Sequence, residues 1–147
     1  MKKILVPVDG SGISLKAADE AIKIAKKFGS EVTFLSVVEV KMPFYGAKPI
    51  SANLIKMQNQ IEANATSEYE RLLHALIEKY KNLGLVLHTK ILTGPVDMEI
   101  EDFAGEDHSD LIVMGKRGLS PGKRFLVGST TKKVLATAPC SVLIVKE

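Results

Sequence analysis

Between Asp110 and Thr131 the chain reads D-L-I-V-M-G-K-R-G-L-S-P-G-K-R-F-L-V-G-S-T-T. A short apolar run ends at Gly115, and glycines recur at 118, 122 and 128 before Ser129, Thr130 and Thr131 open a helical pattern. Glycine lets a backbone approach a ligand closely and adopt positive φ, and the first turn of a helix presents unpaired N–H groups to an anion. Lys116, Arg117, Lys123 and Arg124 make the same stretch positive. A strand, a glycine-rich loop and a hydroxyl-bearing helix start are together the parts that hold phosphate. The stretch is therefore expected to bind the phosphates of a nucleotide.

Such a loop works only if a sheet positions it. Lys3 to Val8 is β-branched and almost continuously apolar, which predicts a strand buried on both faces. Asp9-Gly10-Ser11-Gly12 ends it, with Ser11 or Ser14 able to cap a helix whose inward face carries Ala17/Ala18, Ala21, Ile24/Ala25 and Phe28 up to Gly29. A second strand spans Glu31 to Val40; its partial alternation predicts less complete burial than the first. Lys41 to Ser51, with Pro43, Gly46 and Pro49, reads as a loop carrying Phe44 and Tyr45, two aromatics that could cover a ligand or pack down. From Ser51 to Asn82, Leu54, Met57, Ile61, Ala65, Tyr69, Leu72/Leu73, Leu76 and Tyr80 recur in steps of three and four. Thirty residues of helix reach ~45 Å, more than a small sheet covers, so a break or a partner contact is expected. A third strand covers Leu85 to Leu92, and Pro95 suits the first position of a short acidic helix with Val96, Ile100 and Phe103/Ala104 inward. A fourth strand covers Asp110 to Met114, a last helix Ser129 to Ala138, and a fifth strand Ser141 to Val145.

Alternating strands and helices predict a single α/β domain over residues 1–147. It should be an open five-stranded parallel sheet with helices on both faces, right-handed crossovers and strand order 3-2-1-4-5. Ligands of such sheets bind beyond the C-terminal strand ends, where the order reverses. Both Asp9-Gly10-Ser11 and the glycine loop follow strand ends, so the two clusters are expected to converge.

The whole chain narrows the alternatives. A net charge of +3 over 147 residues, with no basic stripe interleaved with aromatics, does not point to nucleic acid. One cysteine, Cys140, gives no disulfide framework and no metal spacing, and His74, His88 and His108 are scattered without partner ligands. No apolar run approaches the ~20 residues of a membrane span. The opening M-K-K-I-L-V-P-V-D reads as a strand rather than a signal peptide, which makes the cytoplasm the expected location.

The spacing Gly115-x2-Gly118-x9-Gly128-Ser129 resembles the nucleotide signature of the ATP-binding branch of the universal stress protein family. The opening I-L-V-P-V-D-G-S, the run D-L-I-V-M-G-K-R-G and the closing A-P-C-S-V-L-I-V resemble that family's other landmarks, so the likeness covers the whole chain. It implies a Rossmann-like fold of the adenine nucleotide alpha hydrolase type, and a set of ligand contacts. Pro7, Val8 and Asp9 would line the adenine and ribose end, with Asp9 near the ribose or a metal. Val37 would pack on adenine, Met114 and Gly115 would pass beneath the ribose, and Gly118 would cradle phosphate. Gly128, Ser129, Thr130 and Thr131 would hold the phosphates, with Mg²⁺ or Mn²⁺ bridging phosphate oxygens. Pro121-Gly122 within the loop, and Thr130 in place of an aliphatic residue, depart from the family pattern.

The resemblance implies an ATP-binding regulatory or stress-response protein, and a homodimer joined through the C-terminal strand. The residues themselves give little hydrolytic machinery: there is no G-x-x-x-x-G-K-[ST] loop and no evident base to orient water. Slow or no hydrolysis is expected. A nucleotide-free dimeric interaction module of the same fold is the alternative. A flavodoxin-like role would want a hydroxyl-rich loop after the first strand, and a phosphoacceptor domain an Asp where Leu92-Thr93-Gly94 stand.

Overall fold

The computed structural model describes residues 1–40, 51–117 and 127–146. Among these residues the strands are β1 (Lys3–Pro7), β2 (Glu31–Val38), β3 (Leu87–Thr93), β4 (Leu111–Gly115) and β5 (Ser141–Val145). The helices are α1 (Gly12–Phe28), α2 (Ala52–Tyr80), α3 (Val96–Glu106) and α4 (Ser129–Thr137). The strands form one parallel sheet in the order β3-β2-β1-β4-β5, as the alternation predicts.

Two apolar layers hold helices to the sheet. On one face Ile4, Val6, Val32, Phe34 and Val113 pack with Ala17, Ala18, Ala21, Ile22 and Ala25 of α1 and with Leu73, Leu76 and Tyr80 of α2. The alanines let α1 lie close to the sheet. On the other face Leu5, Leu35, Val37, Ile112 and Met114 pack with Ile100 and Ala104 of α3 and Val134 of α4. Burying each large side chain of this set contributes about 1.5–3 kcal/mol. A polar tie joins the two helices of the first face: Lys79 Nζ and Tyr80 Oη both donate to Asp19 Oδ1 at 2.7 Å. Burial pushes the Asp19 carboxyl up, but these two hydrogen bonds outweigh it and hold the group below its ordinary value.

Several boundaries and faces differ from the sequence expectation. Strand β2 is the more thoroughly buried strand, not the less, because β1 and β3 flank it and helices cover both its faces. Its polar Ser36 is accommodated by donating to the Val8 carbonyl at 2.9 Å. Phe28 is exposed rather than inward; α1 ends there, at the left-handed Gly29, and no further turn packs beside it. Ser11 is the residue that caps α1, accepting from Ser14 N–H at 3.2 Å. Pro95 caps α3 from an extended conformation instead of occupying its first turn. Helix α2 runs unbroken for 29 residues, capped by Ser51, and a short 3-10 turn carries the chain on to Gly84. Of its apolar stripe only Leu73, Leu76 and Tyr80 are fully buried.

Candidate functional site

Strand β1 lies between β2 and β4, so the C-terminal ends of these three strands are neighbours. Beyond β1 the chain passes through buried Val8, whose N–H donates to the Leu35 carbonyl at 2.8 Å, to half-buried Asp9. Asp9 Oδ1 accepts from Ser11 N–H at 3.0 Å and from Ser11 Oγ at 2.6 Å. Gly10 turns the chain at φ +84°, a conformation open to glycine at little cost. The carboxylate is thus fixed at the start of α1 by the turn that follows it.

Across the sheet switch, Met114 and Gly115 close β4, and Gly115 is tightly enclosed. A Cβ there would lie 2.9 Å from Ile13 Cγ2 and 3.1 Å from the Arg117 carbonyl oxygen. Only glycine lets β4 end against the first turn of α1. The two ends of the glycine loop are then pinned together, since Gly128 N–H donates to the Lys116 carbonyl at 2.9 Å. Helix α4 begins immediately after. Its first internal hydrogen bond is Lys132 N–H to Gly128 O at 3.0 Å, which leaves the N–H groups of Ser129, Thr130 and Thr131 ahead of it without an intrahelical acceptor. Among the described residues no side chain caps this terminus, and no acidic residue stands in its first turn. The arrangement suits an anion: converging N–H groups, the positive end of a helix dipole, and Lys116 and Arg117 alongside.

The residues expected from sequence fall into distinct groups. Asp9 follows the end of β1, which half-buried Pro7 closes, Gly115 closes β4, and Gly128, Ser129 and Thr130 stand at the start of α4. Val37, at 7% exposure, and Met114 belong to one apolar cluster under that end of the sheet. Thr131 is 3% exposed, and its hydroxyl donates to the Gly115 carbonyl at 3.1 Å. That hydroxyl ties α4 to β4, so what Thr131 offers a ligand is its backbone N–H. Gly118, Lys123 and Arg124, and the aromatics Phe44 and Tyr45, lie outside the described residues.

One residue escaped the sequence reading. Tyr69, counted there as helix core, is half-buried where α2 passes the end of β1; burial raises its phenol above the ordinary value, with Asp9 and then Glu39 adding to the shift. Leu72, one turn further along, approaches Gly10 at the position a Cβ would take, 3.7 Å away. Helix α2 therefore passes beside the Asp9–Gly10 turn at Tyr69 and Leu72. The spacing of Tyr69 three residues before Leu72 was the available signal.

The N–H groups of Ser129, Thr130 and Thr131, together with the pinned loop ends at Lys116 and Gly128, form a cradle whose donor set suits a phosphate group. Among the described residues no group of three His, Cys, Asp or Glu could hold a metal ion, so a divalent ion here would rest mainly on phosphate oxygens. No helix among the described residues is long and apolar enough to cross a membrane.

Comparison with known proteins identifies the family and the fold. The model of the universal stress protein family matches residues 1–146. The chain is 37% identical to universal stress protein MJ0531 of Methanocaldococcus jannaschii, over 99% of this chain and 82% of that one. Universal stress protein UspA from Lactobacillus plantarum superposes with a TM-score of 0.86 at 29% identity, covering 98% of this chain and 97% of that one. A universal stress protein solved in complex with cAMP superposes with a TM-score of 0.70 at 25% identity, covering 98% and 96%.

Proposed function

The chain belongs to the universal stress protein family, and from that premise we propose that it binds ATP, with Mg²⁺ or Mn²⁺, at the C-terminal ends of β1, β2 and β4. It acts through its nucleotide state as a cytoplasmic regulatory or stress-response protein, with slow hydrolysis or none. The observation that carries this reading is the cradle at Gly115, Lys116 and Gly128, where the loop ends are pinned and the start of α4 faces the same space. The cAMP complex of the related protein supports an adenine nucleotide as the ligand class. Phosphates would take the N–H groups of Ser129, Thr130 and Thr131, the hydroxyls of Ser129 and Thr130, and Gly118, with Gly128, whose N–H is held by the Lys116 carbonyl, letting the backbone approach. The nucleoside would lie toward Pro7, Val8, Asp9, Val37 and Met114. Asp9 is already committed to Ser11 through one oxygen, which fits a positioning role at the ribose better than activation of water. Among the described residues no other group beside the cradle is placed as a base.

The deciding experiment denatures the purified protein, identifies released nucleotide by mass spectrometry, and titrates stripped protein calorimetrically with ATP and Mg²⁺. Bound adenine nucleotide, weakened in Asp9→Ala and Gly118→Ala, is the expected result. No released nucleotide and no binding heat at several temperatures would sink the reading. A nucleotide-free interaction module would then lead, favoured by one observation: β5 is an edge strand with an apolar sequence, paired on one side only among the described residues. The same edge supports a homodimer joined through β5 in either case.

A further inference from the structure

Helix α2 packs on β2 and β3, and its last turns carry the buried Leu73, Leu76 and Tyr80. It reaches the strand ends at Tyr69 and Leu72, beside Asp9 and Gly10. The preceding residues, 52–68, extend a further ~25 Å past the sheet. The apolar stripe does not stop where the sheet does. Along it Leu54, Met57 and Ile61 remain 56%, 62% and 65% exposed, with Ile55, 49% exposed, more than a quarter turn to one side. Three large apolar side chains bared along one face of a helix, with a fourth beside them, form a contiguous patch rather than scattered surface hydrophobics, the pattern that marks an interaction site.

We propose that this half of α2 pairs with the same segment of a second copy of the chain, as an isologous helix–helix contact. The flanks of the stripe argue for that occupant. From residue 52 to 67 the only charges are Lys56 and Glu62; the rest of the polar surface is Asn53, Gln58, Asn59, Gln60, Asn64, Thr66 and Ser67. Such a surface selects neither an acidic nor a basic partner. Amides and hydroxyls both donate and accept, so a flank can meet its own copy without like-charge repulsion. Gln58 to Glu62 and Gln60 to Asn64 already pair in this way along the helix, at 3.3 and 2.9 Å. A bare stripe one helix wide is also the shape that ridges of another helix fill. Two stripes facing each other cover roughly half of a standard interface of ~1,600 Å², so the contact is weak and concentration-dependent. It lies at the β2–β3 side of the sheet, whereas β5 is the opposite edge, so a copy can use both contacts at once.

Sedimentation velocity of the full chain, from low micromolar to near-millimolar concentration, tests this. A Met57→Glu/Ile61→Glu double variant is expected to lose one association step, or to weaken it at least tenfold, with an unchanged thermal midpoint and unchanged helical signal. Association through β5 would survive in that variant. Gln60→Cys in a Cys140→Ala background, which leaves a single thiol, is expected to cross-link to its counterpart through a short bis-maleimide. Identical association of variant and wild type overturns the proposal, as does a wild type with no concentration-dependent step. A lower thermal midpoint with unchanged mass would mean that the same chain covers the stripe, and also overturns it. So does failure of the cross-link while the step persists.

Discussion

Gly115 is where a single atom decides whether the site forms. A methyl group at this position meets Ile13 and the Arg117 carbonyl, and both belong to segments that shape the cradle. Gly115→Ala is expected to cost about 1–3 kcal/mol, as overpacking in an enclosed position does, and to weaken ATP binding because relief requires the loop ends to part. Urea unfolding checks the first effect and calorimetry the second; a variant with wild-type midpoint and affinity would show that the enclosure is easily relaxed. Asp110 offers a pH test at the opposite end of the sheet. Hydrogen bonds from the backbone N–H groups of Lys2, at 2.5 Å, and Lys3, at 3.0 Å, hold its carboxyl below the ordinary value. A carboxyl depressed in the folded state contributes stability above its unfolded pKa of ~3.9, and that contribution is lost as pH falls through the folded value. The thermal midpoint of Asp110→Asn is expected below wild type at neutral pH, with the gap closing as pH falls through the folded value. Parallel midpoint–pH curves would contradict this. Of these two residues, Gly115 was legible in sequence, since an apolar strand halts there on glycine. The anchoring role of Asp110 was not, because it depends on β4 lying beside the start of β1.

Helix α4 uses one hydroxyl for folding and carries two that the proposed site assigns to a ligand. Thr131 and Val134 are both buried and three residues apart, on the face turned to β4 and α3, while Ser129 is exposed at the open end. Thr131→Val keeps the volume and removes the hydroxyl that donates to Gly115; it is expected to cost about 1–3 kcal/mol by leaving a buried carbonyl short of a donor. Ser129→Ala is expected to change stability by less than about 0.5 kcal/mol but to weaken ATP binding about tenfold, the scale of a hydrogen bond to a charged group. Chemical denaturation and calorimetry on both variants separate the two roles; a Thr131→Val protein of normal stability would return that hydroxyl to the ligand. The sequence G-S-T-T announces a helix start but not its phase. The phase could have been read from Val134, whose inward direction carries Thr131 with it. Helix α2 was legible in the same partial way. Its period was correct over its whole length, yet period alone cannot say where the sheet ends beneath it. Strand β2 failed for the complementary reason: Thr33 and Ser36 interrupt its apolar run, and only their enclosure in the folded sheet shows that a polar residue need not mark a wet face.

At the scale of the molecule, the order β3-β2-β1-β4-β5 was readable because alternating elements, right-handed crossovers and two clusters at strand ends leave few arrangements. Among the described residues the same order leaves β5 with one unpaired side, and the register says which backbone groups face it. Lys116 N–H donates to the Val145 carbonyl at 2.9 Å, so Val145 turns its backbone toward β4. Backbone direction alternates along a strand, so Leu143 and Ser141 also face β4, while Val142 and Ile144 present their N–H and C=O groups to the open edge. A second β5 would bind through those groups. Val142→Pro therefore removes an outward donor while leaving the β4–β5 ladder intact, the one placement in a strand that proline tolerates well. If β5 joins two copies, this variant is expected to shift the dimer toward monomer by at least tenfold in sedimentation equilibrium, with a small drop in thermal midpoint from the lost valine packing. An unchanged dimer would mean that the edge is not the joint. The α2 contact would then have to account alone for any association, and the Met57→Glu/Ile61→Glu variant would be monomeric at every concentration.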